Sequence, residues 1–324
     1  MRGARPRAHR TDQPCDGEAV RRRSRRVEAL RRRARRTGWR VIVPRSEFVG
    51  DAIGEHYDEL DEFYREVWGE HVHHGLFERG DESVEEATEA LIRKVAEAAQ
   101  INAGDHICDV GCGYGGAARW LAENMGARVT GLTLSEAQAT YAQSQPVENG
   151  IPAPVILLRD WLENDLPDNH FDAVIAIEST AHMPERRRVF SEMARVLKPG
   201  GRLVACIWMT SEEPTPRTVK HLLEPICREG RLAGMGSASE NRAWIEAAGL
   251  TVESVEDLSR NVARTWTICA KRVTVGILRN SRYRSFLFDS SRQNRGFART
   301  LLRLRLAYAV GAMKYGFVVV RKPI

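Results

Sequence analysis

The sequence has no long apolar run. Its longest candidate, residues 307–320, is shorter than the roughly 18 residues that a membrane-spanning helix needs, and it contains Lys314. The first residues hold no apolar segment of the kind that forms a secretory signal. These absences lead us to expect a cytoplasmic protein rather than an integral membrane protein.

Cysteine pairs are also absent. The six cysteines form no CxxC motif, and Cys108 and Cys206 lie inside apolar, strand-like runs, which indicates reduced thiols rather than a disulfide framework. Three histidines, His71, His73 and His74, share one short segment. Their spacing on a non-helical stretch does not bring them onto one ion, and no cluster of cysteines or carboxylates accompanies them. We therefore expect no metal site.

Residues 1–45 contain no lysine and few acids. They hold sixteen arginines against four acidic residues, whereas the rest of the chain has six more acids than bases. The formal charge of +6 and the pI of about 9.1 therefore belong to this extension. A block of like charges repels itself, so we expect residues 1–45 to be disordered. A nucleic-acid arm and a transit peptide are alternatives, but an inert tail or an over-long start is favoured, and the acidic body predicts no nucleic-acid partner.

From residue 105 onwards, apolar strand-like runs alternate with helical patterns. This alternation is typical of a doubly wound α/β fold, a parallel sheet with helices on both faces. In the linking segments, Ser135 and Gln138 predict a capping box, Pro184 predicts the first turn of a helix, and Lys198-Pro199-Gly200-Gly201 predicts a break after it. The predicted helices before the sheet span 55–68 and 83–99, and the predicted strands span 106–110, 127–132, 155–158, 173–177, 203–208, 251–255 and 316–320.

A glycine-rich loop follows the first predicted strand and precedes a helix. It reads Asp109-Val110-Gly111-Cys112-Gly113-Tyr114-Gly115-Gly116. Glycines let the backbone turn sharply and approach a ligand, and the helix start beyond offers free N–H groups to an anion. The spacing also fits the GxGxxG dinucleotide fingerprint. However, Asp109 precedes the loop, and the second strand ends at residues 130–133 without the acid that would bind the ribose of NAD.

Five blocks of the sequence resemble, in order, the motifs of the class I S-adenosylmethionine-dependent methyltransferases. They are residues 107–116, 132–138, 159–161, 171–174 and 197–201. The resemblance implies a seven-stranded doubly wound Rossmann-like sheet, with strand seven inserted antiparallel beside strand five and with a helical lid and cap. It also implies S-adenosylmethionine as the cofactor and methyl transfer as the reaction.

The same resemblance assigns cofactor contacts to particular residues. The acid before the loop would hold the ammonium group of the methionine moiety, and the loop backbone would lie against that moiety. Hydroxyl and amide groups after the second strand would contact the ribose, and the 159–161 segment would bracket the adenine. Glu178, at the end of an apolar strand, is expected to line the same site. The expected cofactor-binding residues are Asp109, Gly111, Gly113, Gly115, Thr133, Gln138, Asp160, Trp161 and Glu178.

Segments outside these blocks resemble the gamma-tocopherol methyltransferases more closely. They are residues 68–75, 178–184 and 314–317 together with 322–323. The resemblance covers about 52–324 and implies a small, apolar phenolic or quinol-type acceptor, methylated on carbon as in tocopherol synthesis. We accordingly expect a methyltransferase domain at 46–324, with a core at 100–210 and a helical cap at about 258–313.

Three other functions stay open. An O- or N-methyltransferase of another small metabolite would keep every cofactor residue and change only the cap. The cyclopropane fatty acid synthases share the feature Leu132-Thr133-Leu134-Ser135 with Gln138, although the complete segment 71–75 favours the tocopherol-like group. A nucleic-acid methyltransferase would use the basic extension.

Two histidines are candidate catalytic residues. His182 follows the fourth strand at the carboxyl edge of the sheet, where an imidazole can take a hydroxyl proton near neutral pH. The alternative is a structural histidine before Pro184. In the resembled families the segment with His73 and His74 lies over cofactor and acceptor, which makes His74 a second candidate, against plain packing as the alternative.

The region 271–305 is basic and rich in leucine and phenylalanine. Its apolar side chains could line an acceptor pocket or simply pack the cap helices. With its arginines, the region could also rest on an anionic membrane surface. The apolar candidates are Phe286, Leu287, Phe288, Phe297, Leu301, Leu302, Leu304 and Leu306.

Overall fold

The computed structural model describes residues 42, 50–148, 150–288 and 297–324, and a seven-stranded sheet lies at its centre. The strands are β1 (His106–Val110), β2 (Arg128–Thr133), β3 (Val155–Leu158), β4 (Phe171–Ile177), β5 (Leu197–Thr210), β6 (Thr251–Asp257) and β7 (Met313–Arg321). They lie side by side in the order β3–β2–β1–β4–β5–β7–β6. β1 to β5 run parallel, and β7 runs antiparallel to β5 and β6. The predicted doubly wound sheet, with strand seven beside strand five, is confirmed.

This strand order places the end of β1 at the point where the order reverses. Asp109 of β1 lies opposite Gly131 of β2 on one side and opposite Ile175 of β4 on the other. In open α/β sheets, ligands bind in the crevice outside the carboxyl ends of the strands at this switch point. The loops after β1 to β4 are therefore the place to look for a site.

Helices surround the sheet. They are α1 (Gly50–Trp68), α2 (Val84–Ala99), α3 (Gly116–Met125), α4 (Glu136–Ser144), α5 (Arg186–Val196), α6 (Glu224–Glu229), α7 (Ala238–Ala247), α8 (Ser259–Val262), α9 (Arg264–Arg279), α10 (Ser281–Phe288) and α11 (Phe297–Ala309). Directly before α6, Pro216–Thr218 is α-helical and Val219–Leu223 is π-helical. α8 to α11 lie between β6 and β7, where the sequence predicts a cap. No described helix is both long and apolar enough to cross a bilayer.

α2 shows how the sequence forms one of these helices. The Ser83 hydroxyl accepts the N–H of Glu86 at 3.1 Å, and the Glu86 carboxylate accepts the N–H of Ser83 at 2.8 Å. This reciprocal cap satisfies two N–H groups that have no partner inside the helix. The apolar face, with Leu91, Ile92 and Val95, is fully buried, and each such side chain contributes roughly 1.5–3 kcal/mol. The predicted amphipathic helix is confirmed.

Three local predictions were wrong in part. The helix before the predicted break does end there, at Val196, but the strand predicted from residue 203 begins at Leu197. The backbone in between pairs with the chain end, where the Gly200 N–H donates to the Lys322 carbonyl at 2.9 Å. Pro184 lies before α5, whose N-cap is Glu185 with a φ of +59°. Ser135 does cap α4, but the Gln138 side chain accepts a hydrogen bond from Thr133, so the capping box is one-sided.

One residue of the predicted disordered extension is ordered. Ile42 is buried and pairs with Met235 through two backbone hydrogen bonds of 3.0 Å. A short-range charge pattern cannot reveal this contact, because its two residues lie almost 200 positions apart in the chain. Residues 1–41 and 43–45 lie outside the described residues.

Candidate active site

The loop after β1 holds its glycine backbone against the segment that follows β4. Gly111 has a φ of +79°, and a Cβ at this position would overlap the Cβ of Ser179. The Ser179 hydroxyl donates to the Val110 carbonyl, which joins the two segments. At Gly113, by contrast, no atom of the described residues, apart from its two chain neighbours, lies within 4 Å of the place that a Cβ would occupy. The loop is thus closed against β4 at one glycine and open to a ligand at the other.

Asp109, beneath this loop, is a buried acid with one oxygen that accepts no hydrogen bond from the described residues. Its side chain is 2% exposed, and its Oδ2 has no hydrogen-bond partner in the described part of the chain. Burial raises the pKa of Asp109 from 3.8 to about 7, because a carboxylate loses its hydration in the interior. A cationic hydrogen-bond donor at Oδ2 would replace the hydration that the carboxylate loses on burial.

The end of β2 forms a buried polar cluster with α1. The Thr133 hydroxyl donates to Oε1 of Gln138 at 2.8 Å, and it accepts the Ser135 N–H at 3.3 Å. The Ser135 hydroxyl donates to Oδ1 of Asp58, on α1, at 2.5 Å. The structure thus brings together Thr133 and Gln138, two expected cofactor contacts, and joins α1 to the end of β2.

A cavity of about 380 Å³ opens between α1 and the loops after β2 and β3. The Asp160 carboxylate in its wall also accepts the Leu162 N–H at 2.8 Å. The Trp161 ring does not line the cavity: it is buried and donates its indole N–H to the Val189 carbonyl at 3.2 Å. The lining residues are Gly54, Glu55, Asp58, Leu134, Glu136, Leu158, Arg159 and Asp160.

Glu178, at the end of β4, accepts four hydrogen bonds. Oε1 accepts the His74 N–H at 2.7 Å, His74 Nδ1–H at 2.9 Å and the Tyr315 hydroxyl at 2.8 Å, and Oε2 accepts Trp208 Nε1–H at 2.8 Å. Burial alone would raise the pKa of Glu178, but the contacts with His74 outweigh it and lower the pKa to about 2. The carboxylate therefore stays ionised at physiological pH.

His74 lies at the centre of a group of aromatic rings. Its side chain is buried, and its Nε2 lies 3.3 Å from the Tyr308 hydroxyl of α11. The ring centroids of Trp266 and Tyr315 are both 4.9 Å from that of His74, and that of Trp208 is 5.5 Å away. The structure therefore unites two predicted site residues, His74 and Glu178, within an apolar aromatic wall.

His182 lies on the turn Thr180–His182, directly after the segment that joins the glycine loop. Its Nδ1 lies 3.3 Å from the Arg231 carbonyl, and its Nε2 lies 3.0 Å from the Tyr57 hydroxyl of α1. Since a carbonyl only accepts, we assign the proton to Nδ1, which leaves Nε2 to accept from Tyr57. Burial lowers the pKa of His182 to about 4, so the ring is neutral at physiological pH.

His71 and His73 are neutral at physiological pH, as His182 is. Burial lowers the pKa of His71 to about 3 and lowers that of His73 as well. His73 Nδ1 lies 2.8 Å from the His74 carbonyl, and its buried Nε2 has no partner among the described residues. Within residues 50–148, 150–288 and 297–324, no group of three His, Cys, Asp or Glu side chains is arranged to hold a metal ion.

Sequence reasoning missed the partners that complete this site. Tyr57, Trp208 and Tyr315 each hydrogen-bond a predicted site residue. Asp58 accepts the hydroxyl of Ser135, which lies between the predicted residues Thr133 and Gln138. Asp58 and Tyr57 lie in the helical pattern of α1, which predicted only packing. The sole signal that could have suggested Tyr315 was the resemblance of segment 314–317.

S-adenosylmethionine fits this arrangement. Its methionine ammonium matches the unpartnered Oδ2 of Asp109, and the open space at Gly113 admits a ligand against the loop backbone. The cavity supplies carboxylates at Asp58 and Asp160 for the hydroxyl and amino groups of an adenosine. An ionised Glu178 favours a cationic ligand nearby.

The chain matches the family model of the mycolic acid cyclopropane synthetases over residues 46–276. It is 35% identical to 27-O-demethylrifamycin SV methyltransferase of Amycolatopsis mediterranei, over 68% of this chain and 81% of that protein. It is also 32% identical to the probable chloroplastic tocopherol O-methyltransferase of Oryza sativa subsp. japonica, over 84% of this chain and 78% of that protein.

A solved structure supports the fold. The mycolic acid cyclopropane synthase CmaA1, crystallised with SAH and CTAB, superposes with a TM-score of 0.75 over 86% of this chain and 99% of that chain. The two sequences are 22% identical, so this likeness concerns the architecture alone.

Proposed function

The chain belongs to the mycolic acid cyclopropane synthetase family and is a methyltransferase that uses S-adenosylmethionine, and we propose that its acceptor is a small, apolar molecule with a phenolic or quinol-type hydroxyl. The observation that carries this proposal is His182, a neutral imidazole at the carboxyl edge of β4 whose Nε2 already accepts a phenolic hydroxyl, that of Tyr57. The acceptor hydroxyl would take the place of Tyr57.

We expect the residues described above to bind different parts of the cofactor. Asp109 would hold the methionine ammonium, and the backbone of Gly111, Gly113 and Gly115 would lie against the methionine moiety. Thr133 and Gln138 would contact the ribose, and Asp160 would contact the adenine, whereas the buried Trp161 would support that turn. Glu178 would favour the cationic sulfonium by its charge. The bound cofactor supplies an electrophilic methyl group, and the protein mainly positions the acceptor in line with it.

His182 would act as the general base. Its low pKa makes it too weak to ionise a phenol beforehand, so the proton moves as the new bond to the methyl carbon forms, when the attacked acceptor becomes strongly acidic. Nε2 then takes the proton, and the Arg231 carbonyl at Nδ1 stabilises the imidazolium. Attack through oxygen is complete at this point, because only the hydroxyl proton has to leave. Attack through the neighbouring ring carbon gives a methylated cyclohexadienone, which becomes the phenol again when the ring proton is lost to solvent and the oxygen takes back a proton from the His182 imidazolium. Tocopherol-like methylation on carbon is our first expectation, with O-methylation as the alternative.

The aromatic wall around His74 suits such an acceptor. The rings of Trp266 and Tyr315 are buried against His74, and the ring of Trp208 is half-buried. An aromatic acceptor would bind against the Trp208 ring by stacking and burial. His74 would position this wall through Glu178 rather than exchange a proton, because both of its ring nitrogens are engaged.

Labelled cofactor and a panel of phenols, quinols and amines would test the proposal, with products identified by mass spectrometry and the methylated atom by NMR. On the best acceptor, His182→Ala should lower turnover by roughly 10²–10⁴-fold while cofactor affinity stays close to that of the wild type. The loss should shrink as the pH rises, because an acidic phenol increasingly arrives ionised. His221→Ala, an exposed histidine, is the matched control.

Two results would count against the proposal. Methylation of amines but not of hydroxyl compounds would contradict the acceptor class. A fall of less than about threefold for His182→Ala at neutral pH would leave positioning as the whole of catalysis and His182 as a structural residue.

The family match also favours a second candidate, a lipid enzyme like the cyclopropane fatty acid synthases. The panel should therefore include an unsaturated phospholipid. A cyclopropane product from that lipid, with no product from any phenol, would select this candidate.

A further inference from the structure

α11 has apolar side chains on two opposite faces. One face is buried and contains Leu301, Leu304 and Tyr308. On the other, Leu302 and Leu306 are 62% and 50% exposed. Val310 directly follows the helix, its N–H still donates to the Leu306 carbonyl, and it is 58% exposed. Residues four apart lie about 40° from one another around a helix, so these three form one continuous stripe. Neighbouring α9, which packs against α11, exposes Leu278 at 74% and Val275 at 38%.

Basic side chains flank these exposed aliphatic residues. Arg299 and Arg305 of α11 and Lys271 and Arg279 of α9 are all exposed, and none forms an ion pair with a described acid. Asp289, which lies outside the described residues, is the single acid between 258 and 324 in the sequence. We call the five aliphatic and four basic residues the basic aliphatic face.

We propose that the basic aliphatic face docks the protein onto an anionic lipid membrane. Two features of this face favour a membrane, the positive charge of its basic residues and the aliphatic character of its apolar side chains. Aliphatic side chains suit a fluid hydrocarbon boundary, and the flanking cations match anionic headgroups. The face lacks the tyrosines and tryptophans that usually anchor a protein partner. The sequence predicted such contact for 271–305, and the structure identifies the side chains that would make it.

Docking would also bring the site near the membrane. Tyr308, on the buried face of α11, lies 3.3 Å from Nε2 of His74. An apolar acceptor dissolved in the bilayer would thus be taken up close to the aromatic wall. Membrane binding itself needs neither cofactor nor acceptor, so its test is independent of the proposed methyl transfer.

The test uses the full chain and vesicles of phosphatidylcholine with roughly one-third phosphatidylglycerol. Partition coefficients are measured by co-sedimentation at low salt and at about 0.5 M salt, where the charges of the Arg-rich extension are screened. Leu302→Gln with Leu306→Gln should lower the partition coefficient about 100-fold at both salt concentrations. Arg299→Gln with Arg305→Gln should lower it about 30-fold, at low salt only.

Matched controls remove similar side chains elsewhere. Val155 and Ile324 are exposed aliphatic residues, and Arg217 and Arg321 are exposed arginines, all outside the face. Glutamine at either pair should change the partition coefficient less than threefold. Thermal melting confirms that each variant is folded.

Three outcomes would overturn the proposal. Unchanged binding of the leucine variant would show that lipid does not contact α11. Dependence on the arginine pair but not on the leucine pair would indicate an acidic macromolecule instead. A wild-type dimer that the leucine variant converts to a monomer, with unchanged vesicle binding, would assign the face to a second copy of the chain.

Discussion

Replacing Asp109 by Asn should stabilise the free protein and weaken its binding of the cofactor. Burial places the pKa of Asp109 at about 7, whereas in an unfolded chain the value is near 3.8. The folded state therefore keeps a proton that the unfolded state releases, and stability falls as the pH rises from about 4 to about 7. The difference of roughly three pKa units corresponds to about 4 kcal/mol. Asparagine has the same size and does not titrate, so Asp109→Asn should match the wild type near pH 4 and exceed it by up to about 4 kcal/mol at pH 8.

Cofactor affinity should change in the opposite direction. A charge-assisted hydrogen bond is worth roughly 1.5–3 kcal/mol, so Asp109→Asn should bind S-adenosylmethionine about 10- to 100-fold more weakly. In the wild type the ammonium needs an ionised carboxylate, so binding below pH 7 must release a proton. The wild-type Kd should therefore be about tenfold higher at pH 6 than at pH 8.

Denaturant unfolding across pH 4–8 measures the first effect, and calorimetry at pH 6 and pH 8 in two buffers of different ionisation enthalpy measures the second. Asp81→Asn, at an exposed surface ion pair with Arg79, is the control and should leave both quantities close to those of the wild type. A variant that is no more stable than the wild type at pH 8 would contradict the burial argument. Wild-type affinity that does not vary between pH 6 and pH 8 would contradict the ammonium assignment.

Three further perturbations test the surrounding structure. Glu178→Gln should destabilise the protein by about 2–3 kcal/mol at pH 7, because an amide leaves one of four buried donors without an acceptor. Since the pKa of Glu178 is lowered to about 2, this difference in stability should shrink as the pH falls from about 4.5 towards 2. A pH-independent difference would contradict the charge assignment. Gly111→Ala should prevent proper folding, because its Cβ would overlap Ser179. Gly113→Ala should cost only about 1 kcal/mol of backbone strain. Thermal melts compare the two variants, and equal effects would refute the account of the loop. Tyr57→Phe should lower KM for the acceptor, because it removes the hydroxyl that competes for Nε2 of His182, while kcat stays within threefold of the wild-type value. A large loss of kcat would mean that Tyr57 itself takes part in the reaction.

Short-range patterns in the sequence predicted the sheet and its glycine loop, and the resemblance of several motifs to a known family implied the cofactor. Apolar runs alternating with helical periods predicted the doubly wound sheet, because strands buried on both faces must be apolar throughout. The run from Asp109 to Gly116 predicted the loop after β1, because only glycines allow its backbone to turn there. Such features depend on neighbours within a few residues, so they can be read without a structure.

Contacts between distant segments could be decided only by the tertiary structure. Tyr57 and His182 are 125 residues apart, and Glu178 takes its donors from His74, Trp208 and Tyr315 on three separate segments. The pKa values of Asp109 and His182 follow from burial, which is a property of the packed core and not of the local sequence. The exposed stripe on α11 could also be identified only in the tertiary structure, because the exposed face of a leucine-rich helix depends on which elements pack against it. The sequence by itself thus determined the sheet and the glycine loop and, through its resemblance to a known family, indicated the cofactor, whereas packing decided which side chains meet, which are charged and which face the solvent.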